Sequence, residues 1–166
     1  MLIFSEEYLM HHGIQGQKWG VRRYQNYDGT RTDTGAKRYR KKEARSYTKQ
    51  LNKNDQSIAT NIGVQYYTPD IVNYNKKRYI KQYANGNDKK AEKYKTKMEK
   101  AQNELTTSRE QIEEAKRIAV KLVKEAESKG YTVKKTEISR FMYSDGNYSY
   151  YMRGTHYKVK DIPNVS

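Results

Sequence analysis

The chain reads as an α+β protein, with a Gly/Arg-rich N-terminal segment, long helices (a helical hairpin or coiled coil) and a small C-terminal antiparallel β-sheet or hairpin. Three observations predict this. Residues 11–39 hold five glycines and the only tryptophan but few aliphatic side chains. Residues 91–126 keep an unbroken apolar spacing of three and four. From Tyr131 onward, β-branched and aromatic residues alternate with polar ones around an Asp-Gly pair. The implied organisation is a docking motif over 1–40, a helical region over 41–129, and a sheet over 130–166 packed on the long helix.

The N-terminal segment is too polar to offset the entropy of ordering by its own burial, so it predicts contacts supplied from elsewhere. A helix is expected from about Ala36, with Leu51, Ile58 and Ile62 on one face and Gly63 as its end. Thr68 and Pro69 then suit the N-cap and first position of a second helix, which carries Ile71, Tyr74, Arg78 and Tyr79 and stops at Asn85-Gly86-Asn87. The clearest periodicity follows: Ala91, Tyr94, Met98, Ala101, Leu105, Ser108, Ile112, Ala115, Ala119, Leu122 and Ala126 form a heptad seam. Rich in alanine, the seam suits close packing. It serves either an internal antiparallel hairpin, favoured by the nearby Tyr74 and Tyr79, or self-association through residues 91–126. Ile118, Val120 and Val123 widen the apolar face near its end.

Gly130 stops that helix, as a residue free to adopt a left-handed conformation does. Tyr131-Thr132-Val133 starts a strand, and Ile138–Tyr143 pairs with Tyr148–Arg153 across Asp145-Gly146, a dipeptide that suits a type I′ turn. In that register Phe141 and Tyr143 share a face with Tyr148, Tyr150 and Met152. A further strand, His156–Lys160, turns Tyr157 and Val159 inward and His156, Lys158 and Lys160 outward.

Composition narrows the function. Hydrophobic residues make up 34% of the 166, and tyrosine supplies 17 of them, so the aliphatic core is small. A net charge of +15 attracts polyanions. The excess sits in two stretches, 15–45 and 76–100, each with ten Lys/Arg against three acids. With no cysteine there is no disulfide, thiolate zinc site or Cys nucleophile. The opening MLIFSEEYLM lacks a basic start and is interrupted by Ser5, Glu6 and Glu7, so it fails as a signal peptide. No apolar run reaches the roughly 18–20 residues of a membrane span. A soluble chain is expected.

Within the N-terminal segment, Gly13, Gly16 and Gly20 allow tight or closely packed backbone. Trp19, Arg22 and Arg23 are residue types that dominate interface hot spots. The docking set is His11, His12, Gly13, Ile14, Gly16, Lys18, Trp19, Gly20, Arg22, Arg23 and Tyr24. The competing reading has Trp19 plug the protein's own helices while the glycines only make turns.

Leu9 to Tyr39 resembles a motif widespread in bacteriophage and prophage proteins, HHGI-x-GQKWGVRRYQN-x-DGT-x-T-x-x-G-x-x-RY, over roughly a fifth of the chain. Its later letters stand here as Gln25, Asn26, Asp28, Gly29, Thr30, Thr32, Gly35, Arg38 and Tyr39. Residues 129–133 and 157–160 look like the strands that end longer members of that family. The resemblance implies a virion-associated or capsid-assembly structural protein whose partner is a capsid, portal or neighbouring virion component. It implies a location in the virion or the bacterial host cytoplasm, and no catalytic reaction.

Arg22, Arg23, Arg38, Arg40, Lys41, Lys42, Lys76, Lys77 and Arg78 interleave with tyrosines, which suits phosphate contact with base stacking. No sequence-reading motif accompanies them, so any DNA binding is expected to be sequence-independent; the competing reading is a solvated Lys-rich helix face. His11 and His12 are adjacent and usually point apart, and Glu6, Glu7 and His156 would have to complete a metal site, so no metal or other cofactor is expected. Three histidines and scattered serines, Ser5 alone preceding the His pair, nominate no nucleophile-base constellation, and no enzyme is expected. Glu110, Glu113, Glu114, Glu125 and Glu127 sit among basic residues and solubilise the long helix.

Overall fold

A computed structural model describes residues 24–26 and 28–161 and bears out the α+β expectation. Helix α1 spans Asp33–Ala84 and α2 spans Asp88–Ser128, followed by strands β1 (Tyr131–Ser144) and β2 (Ser149–Asp161), which pair antiparallel in a two-stranded sheet. The chain divides into two units at Glu43/Ala44. Among the described residues, no helix is long and apolar enough to cross a membrane.

In the larger unit the two helices run antiparallel, folding back at Gly86, whose φ is +68°. Hydrogen bonds across the pair move in opposite directions along the two chains. Tyr47 donates to Glu125 (2.5 Å), Asn54 to the Ala115 carbonyl (2.6 Å), and Gln65 to the Leu105 carbonyl (2.8 Å) and to Ser108. Every residue of the predicted seam on α2 is buried or half-buried, so the seam is spent on α1 within the chain. Ile118 and Val120, expected to widen the apolar face, are exposed instead.

The expected break between two helices at 63–69 does not occur, and α1 runs through Gly63, Thr68 and Pro69. Gly63 is a close-approach position: a Cβ there would meet the Met142 carbonyl oxygen at 3.0 Å. Pro69 forgoes an intrahelical hydrogen bond, a local cost of about 3 kcal/mol. Packing of the two residues just before the proline offsets that cost. Tyr67 lies against Tyr143, with ring centroids 5.2 Å apart, and Thr68 is fully buried.

The four expected strand pieces merge into the two strands of one long hairpin. Its buried positions change phase midway, from Tyr131, Val133, Tyr157 and Val159 at the base to Ile138, Arg140, Met152 and Gly154 further on. Two-stranded ribbons twist strongly, so different faces meet the helices at the two ends and an edge meets them between. At that edge α1 replaces a third strand with side chains at one-turn spacing. Thr48 accepts from Val159 N–H (3.0 Å), Asn52 from Tyr157 N–H (3.1 Å), and Asp55 from Thr155 N–H (2.9 Å). Asn52 also donates to the Tyr157 carbonyl (2.8 Å), and Gln56 to that of Phe141 (2.8 Å). Arg140 locks the middle of the ladder, donating to Asp55 (2.7 Å), Asn52 (3.0 Å) and the Thr155 carbonyl (3.1 Å).

A bulge at Met142 corrects the predicted strand face. Phe141 pairs with Tyr151 on the exposed side, while Tyr143 stacks on Tyr150 (centroids 4.5 Å apart) against Tyr67. The turn also differs from type I′, because only Gly146 has positive φ (+97°). The Asp145 carboxylate holds it by accepting from Asn147 N–H (3.0 Å), Tyr148 N–H (2.8 Å) and the Tyr150 hydroxyl (2.8 Å). The backbone bonds and the Tyr150 hydroxyl keep that carboxyl below its ordinary range. The core, Ala44, Tyr47, Leu51, Ala126, Tyr131 and Val159, lies at the base, where both helices meet the start of β1 and the end of β2.

Candidate functional site

Of the predicted docking residues, His11, His12, Gly13, Ile14, Gly16, Lys18, Trp19, Gly20, Arg22 and Arg23 lie outside the described residues. Tyr24 is described, and with it the second half of the motif, which is organised by local polar contacts. Gln25 and Arg31 form an isolated antiparallel bridge around a turn. Asp28 accepts from the Thr30 hydroxyl (2.6 Å) and N–H (2.9 Å), and these bonds, the hydroxyl first, hold its carboxyl below the ordinary range. Gly29 supplies the left-handed residue at φ +82°. Asn26 and Thr30 are joined through both backbone and side chain.

Thr32 caps α1, its hydroxyl accepting from Gly35 N–H (3.1 Å) and its carbonyl from Ala36 N–H (2.7 Å). Gly35 is required because a Cβ would fall on the Tyr24 carbonyl, which itself accepts from Thr32 N–H (3.2 Å). Two guanidiniums then lie on rings: Arg38 over Tyr24 (4.4 Å to the centroid) and Arg31 over Tyr39 (3.7 Å). Asn26, Asp28, Gly29, Thr30, Thr32, Gly35, Arg38 and Tyr39 thus each have a structural task. The expectation that residues 11–39 cannot order themselves by burial and take their contacts from elsewhere is modified for this half, where hydrogen bonds and cation–π contacts within residues 24–39 supply local order. Tyr24, Arg31, Arg38, Tyr39 and Lys42 also line a shallow cleft of about 310 Å³.

The predicted basic residues fall in two places. Arg38, Arg40, Lys41 and Lys42 ride the first turns of α1; Arg40 is half-buried and the other three are exposed. Lys76, Lys77 and Arg78 stand on the part of α1 near the fold-back at Gly86, beyond the reach of the strands, and all three are exposed. Across the turn, Lys89, Lys90, Lys93, Lys97 and Lys100 on α2 are exposed as well. Between residues 76 and 100, among the described residues, one ion pair forms, Lys95 with Glu92 at 3.5 Å. The other nine basic side chains of that stretch form no ion pair among the described residues, and only Asp88 and Glu99 remain to offset them within it.

The sequence pattern interleaves tyrosines with these charges and offers Tyr74 as part of an apolar strip for the hairpin, but it does not single out Tyr66, Ile80 or Tyr83, and Tyr74 is exposed. Tyr66, Tyr74, Tyr83 and Ile80 on α1 are more than half exposed, as is Tyr148 in the strand turn. Arg78 lies 5.4 Å from the Tyr74 ring centroid. The available signal was the absence of these tyrosines from the buried helix face. Among the described residues no group of three His, Cys, Asp or Glu converges on a metal-sized point, and His156 is exposed on β2.

Comparison with protein families finds one similarity: residues 4–26 match a family of unknown function, DUF7211. The match covers the first part of the motif and ends at the residues that open the described turn. No curated protein and no solved structure matches the chain.

Proposed function

We propose that this chain is a phage-derived virion-associated or capsid-assembly structural protein, docking through its N-terminal Trp/Arg/Gly motif on a head, portal or related virion protein. The observation that carries this reading is the task-by-task use of the motif's second half, from Tyr24 to Tyr39, to anchor the segment to the start of a 52-residue helix. A segment anchored in this way presents the residues before it from a fixed point, which lowers the ordering cost of docking. The long helices and their strand ribbon are the displayed or packing body, and the role is non-catalytic. Co-expression of the full chain with phage head and portal proteins tests the reading. A complex that survives high salt and is lost in Trp19→Ala is expected; a complex that forms equally well in Trp19→Ala overturns motif docking.

A second reading rests on the excess positive charge around the helical turn. There the chain contacts packaged or intracellular phage DNA without sequence preference, the field of residues 76–100 replacing counterions on the phosphates.

A further inference from the structure

We infer that the strip of α1 running from Tyr66 to Lys81 is a stacking platform for single-stranded nucleic acid. The inference deepens the second reading above and rests on it. At about 100° per residue, Tyr66, Tyr74, Lys77, Arg78 and Lys81 fall within a 120° arc, opposite the buried Thr68 and Asn75. The same side of the helix is covered by the strand ribbon as far as Tyr67, and beyond it Asp70, Tyr74, Lys77, Arg78 and Lys81 are exposed among the described residues. Tyr66 and Tyr74 are 68% and 55% exposed, the latter with Arg78 beside its ring. Tyr148 adds a third exposed ring on the turn directly following the Tyr143–Tyr150 stack, which itself lies on Tyr67. Asp70 is the one carboxylate in the strip.

Charge complementarity selects a polyanion, and the rings select its form. An exposed ring stacks only on a base whose face is free, and in a duplex each face is covered by the next base pair. Tyr66 and Tyr74 are eight residues apart, about 12 Å along the helix, against about 3.4 Å between successive stacked nucleotides. A strand that engages both rings is therefore unstacked between them, as single strands are on aromatic grooves. The cations beside the rings hold the phosphates, and with no hydrogen-bonding set aimed at base edges the binding is tolerant of sequence.

Fluorescence anisotropy of the full chain tests this with a labelled oligothymidylate of about 20 nucleotides, long enough for a site of roughly 4–16. A duplex of equal length and heparin serve as comparisons. Tighter binding of the single strand than of the duplex is expected. Tyr66→Ala and Tyr74→Ala, both at exposed positions and neutral in charge, each weaken it about fivefold or more without changing the salt slope. Replacing Lys76, Lys77 and Arg78 together by alanine lowers the slope by about 2. Equal affinity for single strand and duplex, or undiminished binding in both tyrosine variants, overturns the platform while leaving the second reading standing. Failure to bind either nucleic acid at low salt overturns both.

Discussion

The two ends of the helical hairpin are built from the same pair of helices and differ in what covers them. At the base, Leu51, Tyr47, Ala126 and Val159 share a core, and the polar face of α1 is consumed by the ladder from Thr48 to Gln56 along the ribbon. At the far end α1 turns Thr68 and Asn75 inward, α2 meets it with Ala91 and Ala101, and Tyr66, Tyr74, Tyr83 and most of the lysines are exposed. Polar side chains at the base are structural because strand backbone reaches them. The same residue types at the far end bond within their own helix, as Asn75 does to the Ile71 carbonyl (2.8 Å), because no strand backbone is paired with them there among the described residues.

The largest expected effect breaks the base. Asp55→Ala strips the carboxylate from Arg140, whose side chain is 15% exposed, and leaves Thr155 N–H without its acceptor. Uncoupling a buried pair from one side costs about 3–5 kcal/mol, to be read by urea unfolding; a loss near that of a surface substitution sinks the ladder as a stabilising feature.

A smaller and opposite effect is expected further along. The Thr68 hydroxyl is buried without a hydrogen-bond partner among the described residues, so Thr68→Val leaves stability unchanged or raises it by up to about 1 kcal/mol. Clear destabilisation in the same unfolding assay contradicts that account of the inner face.

The smallest effect concerns the strand turn and depends on pH. Because the Asp145 carboxyl is held below its ordinary value, its contribution is present above the unfolded carboxylate value and fades as pH falls through the lower folded one. The hydrogen bond to Asp145 raises the Tyr150 phenol, so Tyr150 contributes below its unfolded value and loses that contribution as pH rises through the folded one. Spectrophotometric titration should show one tyrosine moving down toward its ordinary range in Asp145→Asn; an unmoved titration argues against this turn.

Local chemistry was legible in the residues themselves. Gly86 and Gly130 end helices at φ +68° and +78°, and the seam from Ala91 to Ala126 faces inward as its spacing requires, because a helix period converts directly into a face. The basic sites were legible as charge, whereas the partnership of Arg31 with Tyr39 and Arg38 with Tyr24 needed the turn that brings them together. Sequence by itself therefore determined which stretches are helical and which extended, the helix ends at Gly86 and Gly130, the inward seam of α2 and the location of the excess charge. Tertiary structure decided that α1 passes through Gly63 and Pro69, that the ribbon rolls from one face to the other with a bulge at Met142, and that Thr48, Asn52 and Asp55 close a strand edge. Those outcomes depend on what packs against a residue from far along the chain, and burial and satisfied hydrogen bonds there outweigh local propensities of about 1–3 kcal/mol.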